Sequence, residues 1–239
     1  MSSRASPPPT NGPGPRPRLL VAAYRDWALG VAEALARTHP LTVARDPASL
    51  TALAAELRPD VVALVGWSWR VEAALLEAAD VVGMHPSALP AYAGGSPVQH
   101  QIIDGLEDGT ATLFRLEPTL DSGPILDQEP VDLRGHLDEV FASIARASET
   151  LLRRYLARWP DNPARPQPPA AAPPRRRLTP ADSRLDRAEL ARLSCRELWN
   201  RIRAREAPYP SVFLEDETGR LTLLRAEFAP APPPPEGGR

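Results

Sequence analysis

The chain is 239 residues long, balances 28 Lys+Arg against 30 Asp+Glu for a formal net charge of −2, and contains 30 prolines and one cysteine. That length suits one substantial domain with a smaller appendage, and the balanced charge gives no electrostatic ground for a nucleic-acid partner. The lone Cys195 excludes a disulfide framework and a cysteine-built zinc site, no run reaches the ~18 apolar residues of a membrane span, and the N-terminal MSSRASPPPTNGPGPRPR lacks a signal peptide's apolar centre. The expectation is a cytoplasmic protein without membrane partner or metal ligands.

Positions 1–17 read as a proline-rich tail, too poor in apolar surface to offset the entropy of ordering it. RLLVAAY (18–24) is a continuous apolar run of strand length, and WALGVAEALART (27–38) has helical spacing. PLTVAR (40–45) predicts a second strand, and DPASLTALAAELRPD (46–60) a helix opened by Asp-Pro. VVALVGW (61–67), VEAALLEAA (71–79) and DVVGMH (80–85) continue as strand, helix, strand. Repeated units whose strands are apolar on both faces predict an α/β fold, Rossmann-like, with a mostly parallel sheet under helices. Ligands of such sheets bind beyond the carboxyl ends of the strands, where GWSW (66–69) and GMHPS (83–87) fall. The helix SPVQHQIIDGL (96–106), the strand GTATLFRLE (109–117), the turn PTLDSGP (118–124), the strand ILDQEPVDL (125–133) and a long helix (137–159) follow; the first domain spans 18–158. Beyond it, the Pro/Arg-rich 159–177 predicts a semi-rigid linker, 178–228 a small C-terminal subdomain, and 229–239 a second tail.

His85 closes the fourth predicted strand, and Pro86, Pro90, Gly94, Gly95 and Pro97 keep the next dozen residues irregular. A histidine there either carries chemistry or satisfies loop carbonyls. Asp121, in a later turn, suits a partner that orients the imidazole for acid–base work; it equally suits a turn residue bonding its own backbone. Ser87 lacks the surroundings of a hydrolase nucleophile and reads as a turn hydroxyl, while His39 and His136 read as surface histidines.

The stretch HPSALPAYAGGSPVQHQIIDGLEDGTATLFRLEPTLDSGPILDQEPVDL (85–133) resembles the core signature of folate-dependent formyltransferases. That family has an Asn-x-His-Pro-Ser-Leu-Leu-Pro stretch, then Tyr-Arg-Gly, Pro-Ile, and Leu-Asp-x-Gly. LTPADSRLD (178–186) and LWNRIRAREAPYPSVF (198–213) resemble the segment after the catalytic domain in methionyl-tRNA and sugar-amine members. The resemblance implies an N-formyltransferase that moves a formyl group from 10-formyltetrahydrofolate to a primary amine. In the family an Asn and a His stabilise the oxyanion and handle protons, and an Asp tunes the His. His85 and Asp121 match the last two, whereas Gly83 stands at the Asn position and Ala93 replaces the Arg of Tyr-Arg-Gly. Trp67, Leu116, Asp121 and Gln128 are the residues the resemblance assigns to the folate. The short C-terminal subdomain, mixed in charge sign, points to a small-molecule acceptor such as a nucleotide-linked amino sugar or an amino-acid-like metabolite, and a homodimer is compatible with the pattern. Losing one oxyanion donor typically costs ~10²–10³ in rate, which keeps two other readings open: a non-catalytic formyltransferase-fold protein, and a formyltetrahydrofolate hydrolase.

Overall fold

The computed structural model describes residues 16–231, so most of both expected tails lies outside the described residues. The first half alternates as its apolar runs require: β1 (Leu19–Ala22), α1 (Asp26–Ala36), β2 (Leu41–Ala44), α2 (Pro47–Leu57), β3 (Val61–Leu64), α3 (Ala73–Ala78) and β4 (Asp80–His85). The Asp-Pro start of α2 is a capping box, with the Ser49 N–H donating to Asp46 Oδ1 at 2.8 Å. α4 (Pro97–Ile103), β5 (Asp108–Arg115), β6 (Ile125–Asp132) and the 22-residue α5 (Leu137–Arg158) complete the domain.

The six strands lie in the order β2-β1-β3-β4-β5-β6. The first four are parallel, and β5 and β6 are antiparallel to their neighbours. Strand periodicity divides the core between two faces. Leu19 and Val21 meet α1 and α5, whereas Leu20 and Ala22 meet Leu50 of α2 and the apolar side chains of α3. With both faces covered, β1 and β3 are buried along their whole length. The reversal at β5 matters for the site. β5 pairs Thr112 with His85 and Phe114 with Gly83, and the turn after it brings Asp121 back to the end of β4.

Residues 159–177 stay largely exposed, as a linker does, but they are pinned to the sheet domain. Arg165 exchanges two backbone hydrogen bonds with Ile125 at 2.8 Å each, and Arg175 pairs with the backbone at Ala93 and Gly95. Proline-rich backbone has few internal hydrogen bonds to make, so its remaining N–H and C=O groups pair with the edges it crosses. The small subdomain follows with a 3-10 turn (Pro180–Ser183), α6 (Arg187–Leu190), α7 (Cys195–Arg203) and the hairpin β7 (Val212–Asp216) and β8 (Gly219–Leu223). Its core is a separate cluster around Leu185, Ile202 and Val212. His136, expected at the surface, is buried where this subdomain meets the sheet: its Nδ1–H donates to Glu206 Oε1 at 2.7 Å. A local reading of the sequence around His136 could not see an acceptor 70 positions away.

Candidate active site

His85 ends β4 with its ring almost enclosed, at 7% exposure. The loop behind it is braced. Ser87 Oγ donates to Ala91 O at 2.6 Å, Thr112 Oγ1 to Ser87 O at 2.6 Å, and Gln101 Nε2 to Pro86 O at 2.7 Å. Ser87 is thus occupied as a turn hydroxyl. The His85 Nε2–H donates to Tyr92 O at 3.0 Å, since a carbonyl can only accept, and Nδ1 faces Asp121 Oδ2 at 3.6 Å. Asp121 Oδ2 also accepts the Gly94 N–H at 2.8 Å. The turn and the histidine loop, 36 positions apart in sequence (121 − 85), therefore meet at one carboxylate.

Gly83 contributes no side chain, and the space beside it is filled. A Cβ there would lie 2.6 Å from Leu116 Cδ1 and 3.0 Å from Phe114 Cε1. The antiparallel pairing with β5 puts Phe114 directly opposite Gly83 on the same face, so the two positions share one volume. Ala93, half-buried, packs with Leu89, Phe114 and Ile125, so an arginine there would have to lay its stem over apolar side chains.

His85, Asp121, Trp67 and Leu116 line a single cleft of about 1090 Å³, together with Trp69 and Ser96. Trp67 stands edge-on to Tyr24 and Trp69, with ring centroids 6.3 and 4.8 Å apart, and Leu116 packs against the same apolar cluster as Trp67. Gln128 stands apart from the cleft: its Nε2 donates to Thr112 Oγ1 at 2.9 Å and its Oε1 accepts from Arg165. The sequence pattern that placed it with the ligand-binding residues holds the strands and the 159–177 segment together instead. His100, similarly, binds the carbonyl of Arg176.

Sequence reasoning missed the opposite wall. Trp27 stacks on Phe141 with centroids 5.7 Å apart, and Phe141 stacks on Tyr209 at 6.2 Å. Arg205, buried, also lines the cleft; its Nη1 donates to Ser183 Oγ at 2.9 Å, and burial lowers its pKa. Only four buried side-chain polar atoms among the described residues lack a partner, and three of them, Trp27 Nε1, Trp67 Nε1 and Gln99 Nε2, belong to residues lining this cleft. Each such donor costs roughly 1–3 kcal/mol if it stays unpaired. All three nitrogens are themselves enclosed in the wall, so what the cleft presents to a ligand is largely apolar and aromatic surface. The flat body of a folate-type group fits such a surface. Among the described residues no group of three or more metal-binding side chains is found, and no helix is long and apolar enough to cross a membrane.

Comparison with known proteins adds the family. The chain is 34% identical to a methionyl-tRNA formyltransferase of Corynebacterium urealyticum over 131 residues, covering 52% of this chain and 40% of that one. It spans about half the length of the curated relatives it matches. Its fold is shared with a methionyl-tRNA formyltransferase from Clostridium thermocellum, at a TM-score of 0.80 and 20% identity over 89% of this chain and 93% of that chain. A sugar N-formyltransferase from a Shewanella species superposes at 0.68 and 15% identity, over 89% and 99%. At these identities the two structures speak for the fold alone. The model of the formyl transferase family matches residues 31–152, the stretch that carries β4, the histidine loop and the Asp121 turn, and the chain belongs to that family.

Proposed function

We propose that the chain transfers a formyl group from 10-formyltetrahydrofolate to a primary amine of a small molecule, a nucleotide-linked amino sugar or an amino-acid-like metabolite. The observation that carries this is the meeting of His85 and Asp121, at 3.6 Å, in a cleft of about 1090 Å³ walled by aromatic and apolar side chains. The donor supplies the formyl carbon; the chain's residues hold it and manage charge and protons. Trp67 and Leu116 offer the donor an apolar wall. His85, whose Nε2–H is held by Tyr92 O, takes part in moving the amine's proton through Nδ1, the atom that faces the Asp121 carboxylate. Because Gly83 brings no amide, stabilisation of the charge that develops on the formyl oxygen falls on backbone N–H groups of the histidine loop. The Trp27, Phe141 and Tyr209 wall is the side for the acceptor. A second reading, an aminoacyl-tRNA amine, is favoured by the names of the curated relatives.

The test is turnover of 10-formyltetrahydrofolate with water alone, with a panel of amines read by gain of one formyl mass, and with methionyl-tRNA at increasing salt. Amine-dependent turnover with weak salt dependence is expected, and His85→Ala should lower it by roughly 10²–10⁴ while leaving the fold intact. Equal turnover with and without amines would make the chain a hydrolase. No turnover at all would make it a non-catalytic member. Efficient tRNA formylation that falls steeply with salt would decide for the second reading.

A further inference from the structure

The segment after α5 touches both halves of the site, and one of its side chains holds the turn that carries Asp121. The paired backbones of Arg165 and Ile125 seat the segment beside the start of β6. Two residues on, the Gln167 carboxamide donates both of its N–H groups, to Asp121 O and Gly123 O, each at 2.8 Å. These carbonyls bracket a turn in which Asp121 adopts a left-handed backbone, φ 51°. A residue with a Cβ is disfavoured in that region and persists where its surroundings over-determine it. Gly123 allows the tight fold, since a Cβ there would fall 1.8 Å from Arg115 O. The partner of the Asp121 carboxylate is governed by the same segment. The Gly94 N–H that it accepts lies between Ala93 O and Gly95 N, which bond to Arg175 N and O at 2.7 and 2.8 Å.

We propose that Gln167 is a positioning residue of this site: its two hydrogen bonds fix the 121–123 turn so that the Asp121 carboxylate meets the Gly94 N–H and faces His85. This rests on the reading of His85 and Asp121 as the working pair. Gln167 itself is absent from the cleft lining, so it acts through Asp121. The other charged groups at the loop, Asp104 and Arg175, pair with each other at 2.8 Å, and Asp104 accepts from the Tyr92 hydroxyl at 3.0 Å. They brace the histidine loop without bonding the Asp121 turn.

The experiment uses the full chain labelled with ¹⁵N-histidine. The His85 ring-nitrogen resonances are recorded at one fixed pH in wild type, Asp121→Asn, Gln167→Leu and Gln167→Glu, beside kcat and KM for 10-formyltetrahydrofolate. Gln167→Glu keeps the shape and removes both N–H donors, and it carries the test if Gln167→Leu does not fold. Both Gln167 variants are expected to move the His85 resonances in the direction of Asp121→Asn and to lower kcat about 10- to 100-fold with little change in KM. In the Asp121→Asn background, Gln167→Leu should add almost nothing, because the two changes remove one interaction. A Gln167 that merely docks the segment would leave the His85 resonances at their wild-type positions, and that result overturns the proposal, as does full additivity of the two mutations. Unchanged kinetics in His85→Ala would instead sink the assignment of the pair, while the resonances would still report whether Gln167 orients Asp121.

Discussion

At Gly83 the motif and the packing point in different directions. From the motif alone, the missing amide looks like a lost donor. In three dimensions its place is taken by Leu116 and Phe114, both supplied by or just after β5. Gly83→Asn is therefore expected to lower stability by about 1–3 kcal/mol, the usual cost of overpacking, and to reduce turnover. Combining it with Leu116→Ala opens the space, so the double variant should recover activity relative to Gly83→Asn. Denaturant midpoints and formyl-transfer rates on the same preparations check both. A single Gly83→Asn that gains activity without loss of stability would show that the position tolerates the amide. Asp121 was legible as a candidate by its turn and motif, but its 3.6 Å approach to His85 depends on the left-handed backbone at 121, which the residue type alone does not dictate.

Strands and helices are joined at the lower end of β4 by a group the sequence gives no hint of. Asp80, the first residue of β4, accepts two hydrogen bonds from Arg115 of β5, at 2.8 and 3.1 Å, and one from the Tyr155 hydroxyl of α5, at 2.6 Å. Tyr155→Phe removes a buried bond to a charged group and should cost roughly 1.5–3 kcal/mol in denaturant unfolding. Burial, reinforced by the bond to Asp80, pushes the Tyr155 hydroxyl above its ordinary pKa. The sign follows from linkage: a raised folded pKa means that this contribution is complete below the ordinary tyrosine range and is lost only as pH climbs through the higher folded value. Phenolate absorbance should accordingly show one tyrosine that ionises only together with unfolding, and that transition should disappear in Tyr155→Phe. The predicted elements α1, α2, β1, β3 and β4 lie where their periodicity put them, because each is amphipathic or uniformly apolar on its own account. The antiparallel direction of β5 was not legible, since an apolar strand reads alike in either direction.

For the molecule as a whole, Arg203 holds the small subdomain to the sheet domain. It is 2% exposed, donates through Nη1 to Leu133 O at 2.6 Å and Gly135 O at 2.9 Å, and lies over the Trp199 ring at 4.4 Å. Burial lowers its pKa to about 10. Arg203→Met should strand two carbonyls and cost roughly 1.5–3 kcal/mol for each charge-assisted bond lost. Because the small subdomain has its own core, the loss is expected to split unfolding into two transitions and to expose the 159–177 segment to limited proteolysis. A single, merely shifted transition would show that the 159–177 contacts suffice to couple the two parts.

The sequence by itself determined the α/β class, the strand–helix order of the first domain, and the end of β4 where His85 lines the cleft, because these follow from apolar periodicity and turn residues within short windows. Its motif order also led to the formyl transferase family. Only the tertiary structure decided what separate segments do to one another. It filled the volume at Gly83 from β5, buried His136 against Glu206, turned Gln128 to Thr112 and Arg165, and laid the 159–177 segment across the Asp121 turn. Each of those outcomes depends on hydrogen-bond partners or packing neighbours between 16 and 70 positions away, and local propensity carries no information at that range.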